Sequence, residues 1–77
     1  MRVEMGLDQL AVGKKAVVIS INTDPDLRQR LRDFGFVPGT TVRCKYRCPW
    51  GSVTALELRG SVLAVRTGDL RKIRVRC

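Results

Sequence analysis

The sequence predicts a mainly β fold, a small barrel of about five short strands with one α-helix inserted between the first and second strands. Three observations carry this prediction. With 77 residues there is room for a single core, and a chain of that size buries only about 60% of the surface it exposes when unfolded. Apolar residues recur with period two, or as short β-branched runs, between turns rich in glycine and proline. A period of 3.6 with both ends marked occurs in one segment only.

The opening stretch Leu7 to Gly13 reads as a capped helical turn that Gly13 stops. Lys14 and Lys15 then lead into Ala16–Ile21, a short β-branched run that reads as a largely buried strand. The helix follows. Asp24 is placed to cap it, Pro25 suits the first helical position, and Asp26 favours the positive end of the dipole. Leu27, Leu31 and Phe34 fall on one stripe, with Arg28, Arg30 and Arg32 to its sides. Gly35 ends the helix where a left-handed residue is required, and Phe36 is then set to fold back on Leu31.

Val37-Pro38-Gly39-Thr40 has the chemistry of a type II turn. Beyond it the period becomes two: Val42, Cys44, Tyr46 and Cys48 are expected inward, and Thr41, Arg43, Lys45 and Arg47 outward. Cys48-Pro49-Trp50-Gly51 turns the chain back through Val53 to Leu58, and Gly60-Ser61 suits a two-residue hairpin turn. Val62 to Arg66 is apolar on both faces, as an interior barrel strand would be. After a turn at Thr67-Gly68-Asp69, Leu70-Arg71-Lys72 can form one helical turn. The last strand, Lys72 to Arg76, puts Ile73 and Val75 inward and Lys72, Arg74 and Arg76 outward. Closing such strands into a ring removes unpaired edges, and Val, Leu and Ile would fill the interior without leaving a ligand cavity.

Composition narrows the chemistry. Fifteen basic against seven acidic residues give a net charge of +8, which favours anionic partners: nucleic acid, a headgroup surface or an acidic protein face. Histidine is absent, and with it the usual general base and metal ligand. Cys44 and Cys48, on one face of a strand, would lie about 13 Å apart, too far for one metal ion without a bulge or turn between them. Cys77 completes an odd count, so no disulfide framework is implied. Asp24 and Asp26 read as helix-capping groups. No catalytic, cofactor or metal site is therefore expected: there is no phosphate-cradling glycine loop, and Ser20, Ser52 and Ser61 have no base nearby in sequence. The strictly apolar run Ala16–Ile19 is four residues, where a membrane span needs about 20. The first residues lack the apolar run of a secretory signal, so a cytoplasmic location is expected, without membrane insertion.

Candidate partner contacts are the two outward basic strips, Arg43, Lys45 and Arg47 on one strand and Lys72, Arg74 and Arg76 on another, together with Trp50. The strips read equally as a solvated, edge-protecting face. Trp50 reads first as a lid folded over the end of the barrel, and second as an interface anchor.

The series Leu7, Leu10, Gly13, Ala16, Val18, Ile21, then Leu27, Arg30-Leu31, Phe34-Gly35-Phe36, Pro38-Gly39 and Val42 resembles the FeoA family. Gly60, Leu63-Ala64-Val65-Arg66, Ile73 and Val75 continue the resemblance, which spans roughly Leu7 to Arg76. It implies one SH3-like barrel over residues 1–77, working without catalysis in bacterial ferrous iron uptake beside FeoB, a membrane transporter with a cytosolic GTPase domain. It also implies a place at the inner face of the membrane through that partner. Gly51-Ser52-Val53 and Asp69-Leu70 depart from the family pattern, which often has Gly-Asp-Pro and Glu-Ala there. The alternative is a small basic barrel that binds nucleic acid. Against it, only four aromatic residues are present and no exposed stacking platform is legible in the strands.

Overall fold

The computed structural model describes residues 3–77. Its elements are β1 (Glu4–Gly6), a 3₁₀ turn (Leu7–Gln9), β2 (Lys15–Ile21), α1 (Pro25–Asp33), β3 (Thr41–Arg47), β4 (Val53–Leu58), β5 (Ser61–Arg66), α2 (Thr67–Leu70) and β6 (Ile73–Arg76). The strands form one antiparallel sheet in the order β1-β6-β2-β3-β4-β5. Wrapped on itself, this is the small barrel with an inserted helix that the sequence predicts, with a sixth strand added at the start. β1 was not legible because three residues carry no measurable period. It forms because Met5 packs against the core while Glu4, Met5 and Gly6 pair with Arg76, Val75 and Arg74.

Alternation builds the core. Ala16 lies opposite Val42, Val18 opposite Val75 and Cys44 opposite Leu56, and all six side chains are buried. β2 is therefore one-faced, not largely buried: Val17, between Ala16 and Val18, is exposed. A run of β-branched residues satisfies both readings, and only the neighbours decide between them.

Backbone pairing does not close the ring. β1 and β5 are the two edges of the sheet. The 3₁₀ turn that follows β1 and the α2 turn that follows β5 contact one another, with Leu7 and Leu70 both fully buried. β5 is accordingly an edge strand with Val62 exposed, not the interior strand its apolar sequence suggested.

The helix forms as its end signals predict. Asp24 Oδ2 accepts a hydrogen bond from the Leu27 amide at 3.1 Å. At the other end Gly35 has φ of 84°, the Gly35 amide donates to the Arg32 carbonyl and the Phe36 amide to that of Leu31, both at 2.9 Å. Phe36 and Leu31 are buried together. Phe34 departs from expectation: it is 53% exposed, because it sits at the C-cap, past the last turn that reaches the sheet. The hairpin turn is also one residue earlier than expected, at Arg59-Gly60, with Leu58 facing Ser61. Both turn residues have positive φ, 51° and 79°, as a type I′ turn demands. Arg59 accepts this strained geometry while its side chain lies against Gly35 at the carbonyl end of α1.

Candidate functional site

The outer face of β6, β2 and β3 carries a basic patch. Arg76 lies beside Val17 and Arg74 beside Ser20 on one side of β2. Lys15 lies beside Arg43 on the other, and Arg43 faces Glu57 of β4. The two strips foreseen from the sequence thus sit on strands separated by β2, and Lys15 links them. Lys15 was missed as a contact because it was read as a lead-in to a buried strand. Its alternation with the inward Ala16 and Val18 was the available signal. Lys72 precedes β6 and is exposed, but it stands outside the ladder, where its carbonyl accepts the Asn22 amide at 2.8 Å.

Lys45 and Arg47 behave differently from Arg43, and a β-bulge is the reason. The β3–β4 register passes from Cys44 opposite Leu56 to Tyr46 opposite Ala55, leaving Lys45 as the extra residue. An extra residue in a period-two strand exchanges its faces from that point on. Tyr46, expected inward, is consequently exposed. Arg47, expected outward, is half-buried: its Nη2 donates to the Leu10 carbonyl at 2.9 Å and lies 3.9 Å from Cys44 Sγ. Arg47 anchors the Leu10–Gly13 loop and is unavailable as a partner contact. Lys45 remains exposed and pairs with Glu57 at 3.3 Å, the one salt bridge among the described residues. Arg43 and Arg47 each keep a buried Nε without a hydrogen-bond partner.

Trp50 is not a lid. It is 88% exposed at the tip of the β3–β4 turn, which is held by the Gly51 amide on the Cys48 carbonyl at 2.7 Å. The loop tied down by Arg47, together with buried Leu10, lies against β3, with the Gly13 amide on the Cys44 carbonyl. Exposed Trp50 and Tyr46 also provide the aromatic faces that the sequence reading did not find.

The interior is filled, but a groove of about 560 Å³ lies outside it, between α1 and the edge strand β5. Leu27, Leu31 and Phe34 line one wall and Leu63 and Val65 the other, with Asp26, Arg30, Arg66 and Asp69 among the polar lining. The expectation that no ligand cavity remains concerned the barrel interior; this groove lies outside it, along the edge strand β5. The cysteines are dispersed: Cys44 is buried, Cys48 is half-buried in the turn with Ser52 Oγ at 4.0 Å from its Sγ, and Cys77 is exposed. Among the described residues no cluster of three or more Cys, Asp and Glu side chains is placed to hold a metal ion. No described helix is long and apolar enough to cross a membrane.

The fold recurs in known proteins. The chain matches the FeoA domain over residues 5–77. A FeoA protein of Chlorobium tepidum, solved in solution, superposes with a TM-score of 0.89 at 31% identity, over 92% of this chain and 68% of that one. The zinc-complexed FeoA of Stenotrophomonas maltophilia, described as a prokaryotic SH3 domain protein, gives 0.79 at 28% identity, over 92% and 88%. A Campylobacter jejuni protein with the provisional name Fe(2+) transport protein A is 27% identical over 71 residues, covering 92% of this chain and 96% of that protein. With the family match running through every strand of the barrel and the same SH3-like architecture in its relatives, the chain belongs to the FeoA family.

Proposed function

We propose that this chain, as one domain over residues 1–77, is a non-enzymatic accessory protein of bacterial ferrous iron uptake. It acts by binding the cytosolic GTPase portion of a FeoB-type transporter, and so works in the cytoplasm at the inner face of the membrane. Membership of the FeoA family and the Fe(2+) transport name of a relative support the process. The observation that carries the mode of action is the basic patch of Lys15, Arg43, Arg74 and Arg76 across three neighbouring strands. Among the described residues none of the four is in a salt bridge; Glu57 lies opposite Arg43 and Glu4 opposite Arg76, while Lys15 and Arg74 are exposed. Guanidinium and ammonium groups on an outer sheet face bind carboxylates and steer association, and they offer neither nucleophile nor base at neutral pH.

The test is a binding titration of purified protein against the cytosolic domain of a FeoB-type transporter at low salt. The variant carrying Lys15→Glu, Arg43→Glu, Arg74→Glu and Arg76→Glu should bind about tenfold more weakly or worse, mostly through a slower on-rate. Equal binding by that variant, or no binding by the folded wild type, argues against the reading.

A further inference from the structure

The end of the barrel around Trp50 has a chemistry that the transporter-binding reading leaves unused. Trp50 stands on a rigid turn, fixed on both sides by the Gly51 amide on the Cys48 carbonyl and the Cys48 amide on the Val53 carbonyl. Tyr46 and Val53 are exposed on the two arms of the same hairpin. Val12 joins them: its loop is held against β3 by the Gly13 amide on the Cys44 carbonyl at 2.6 Å and by Arg47 on Leu10, and its side chain is exposed. Half of the large exposed hydrophobic side chains of the described chain, Val12, Tyr46, Trp50 and Val53, therefore gather on one hairpin and its neighbouring loop.

Cations ring this cluster. Lys14 lies next to Cys44, whose amide donates to its carbonyl at 3.1 Å. Lys45 is the bulge residue beside Tyr46, and Arg66 lies directly opposite Val53. All three are exposed. Glu57 pairs with Lys45, and Asp69 lines the same groove as Arg66, against a chain charge of +8.

We infer that this end is a membrane-surface anchor, in which Trp50, flanked by Tyr46, Val53 and Val12, enters the headgroup region of an anionic bilayer while Lys14, Lys45 and Arg66 contact lipid phosphates. Indole and phenol rings partition to the membrane–water boundary because one end is apolar and the other polar. Long cationic side chains around them reach back to the charged layer. A protruding turn fits a plane. Single-stranded nucleic acid instead requires a basic groove that follows its backbone, whereas Trp50 stands at the tip of a protruding turn, with Val12 and Val53 beside Tyr46 among its neighbours. The inference does not depend on the transporter-binding reading, because the patch of Lys15, Arg43, Arg74 and Arg76 shares no residue with it.

Trp50 is the sole tryptophan, so the site reports on itself. The wild-type chain is mixed at low salt with vesicles of phosphatidylcholine alone or of phosphatidylcholine with phosphatidylglycerol, and tryptophan emission and co-sedimentation are followed. The anionic vesicles should shift the emission to shorter wavelength, brominated lipid should quench it, and added salt should release the protein. Trp50→Ala should reduce co-sedimentation by about tenfold, since binding scales with the apolar area inserted, with an unchanged circular dichroism spectrum. The four-fold glutamate variant of the basic patch should still show quenching. Three results overturn the inference: no shift with anionic vesicles, equal binding to neutral ones, or a shift that appears only on adding single-stranded RNA or DNA or an acidic protein.

Discussion

The segment from Asp24 to Thr40 and the hairpin from Thr41 to Leu58 are similar in length and adjacent in the chain, yet they follow the sequence to different degrees. In the first, each signal acts on its nearest neighbours: an aspartate on an amide three residues on, a glycine on the carbonyls just behind it. In the second, one bulge at Lys45 decides the side on which each later residue of β3 lies. Local hydrogen bonds can be read one turn at a time. The face of a strand cannot, because it accumulates every insertion that precedes it.

The largest effect should come from the junction of the two regions. Phe36 is fully buried against Leu31, so Phe36→Ala should cost about 3–5 kcal/mol. In a domain this small that approaches the whole stability, and chemical denaturation should show a broad or absent transition. A near-native midpoint would mean that the helix end does not organise the core.

Arg47 tests the bulge itself. Arg47→Met keeps the bulk of the side chain but removes the bond to the Leu10 carbonyl, and should cost about 1–2 kcal/mol. Hydrogen exchange should rise at the Gly13 amide, which the same loop presents to Cys44. If Arg47 pointed to solvent, as strict alternation requires, neither change would be seen.

Trp50→Ala should have the smallest effect on stability, within about 0.5 kcal/mol, because the side chain covers nothing. A loss of several kcal/mol would restore the lid that the sequence first suggested, and would remove the membrane anchor with it.

The candidate site follows the same division. Arg43, Arg74 and Arg76 were placed on the outer face from their alternation alone, and the structure keeps them there. Lys15 escaped notice because it reads as a lead-in to a largely buried strand. Arg47 was misassigned by a bulge that leaves no mark in residue type, and Tyr46 with it. The α1–β5 groove was not foreseen, since it exists only because β5 is an edge.

By itself the order of residues determined the elements and their ends: the helix with its aspartate and glycine, the turn after it, and the strands by their period. These rest on hydrogen bonds and sterics within a few residues, where the energy of the right choice is local. The tertiary structure alone decided that β1 joins the sheet, that no ladder joins β1 to β5, and which way Tyr46, Arg47 and Trp50 point. Those outcomes depend on what occupies the space on the far side of each strand, and that space is filled by residues distant in the chain.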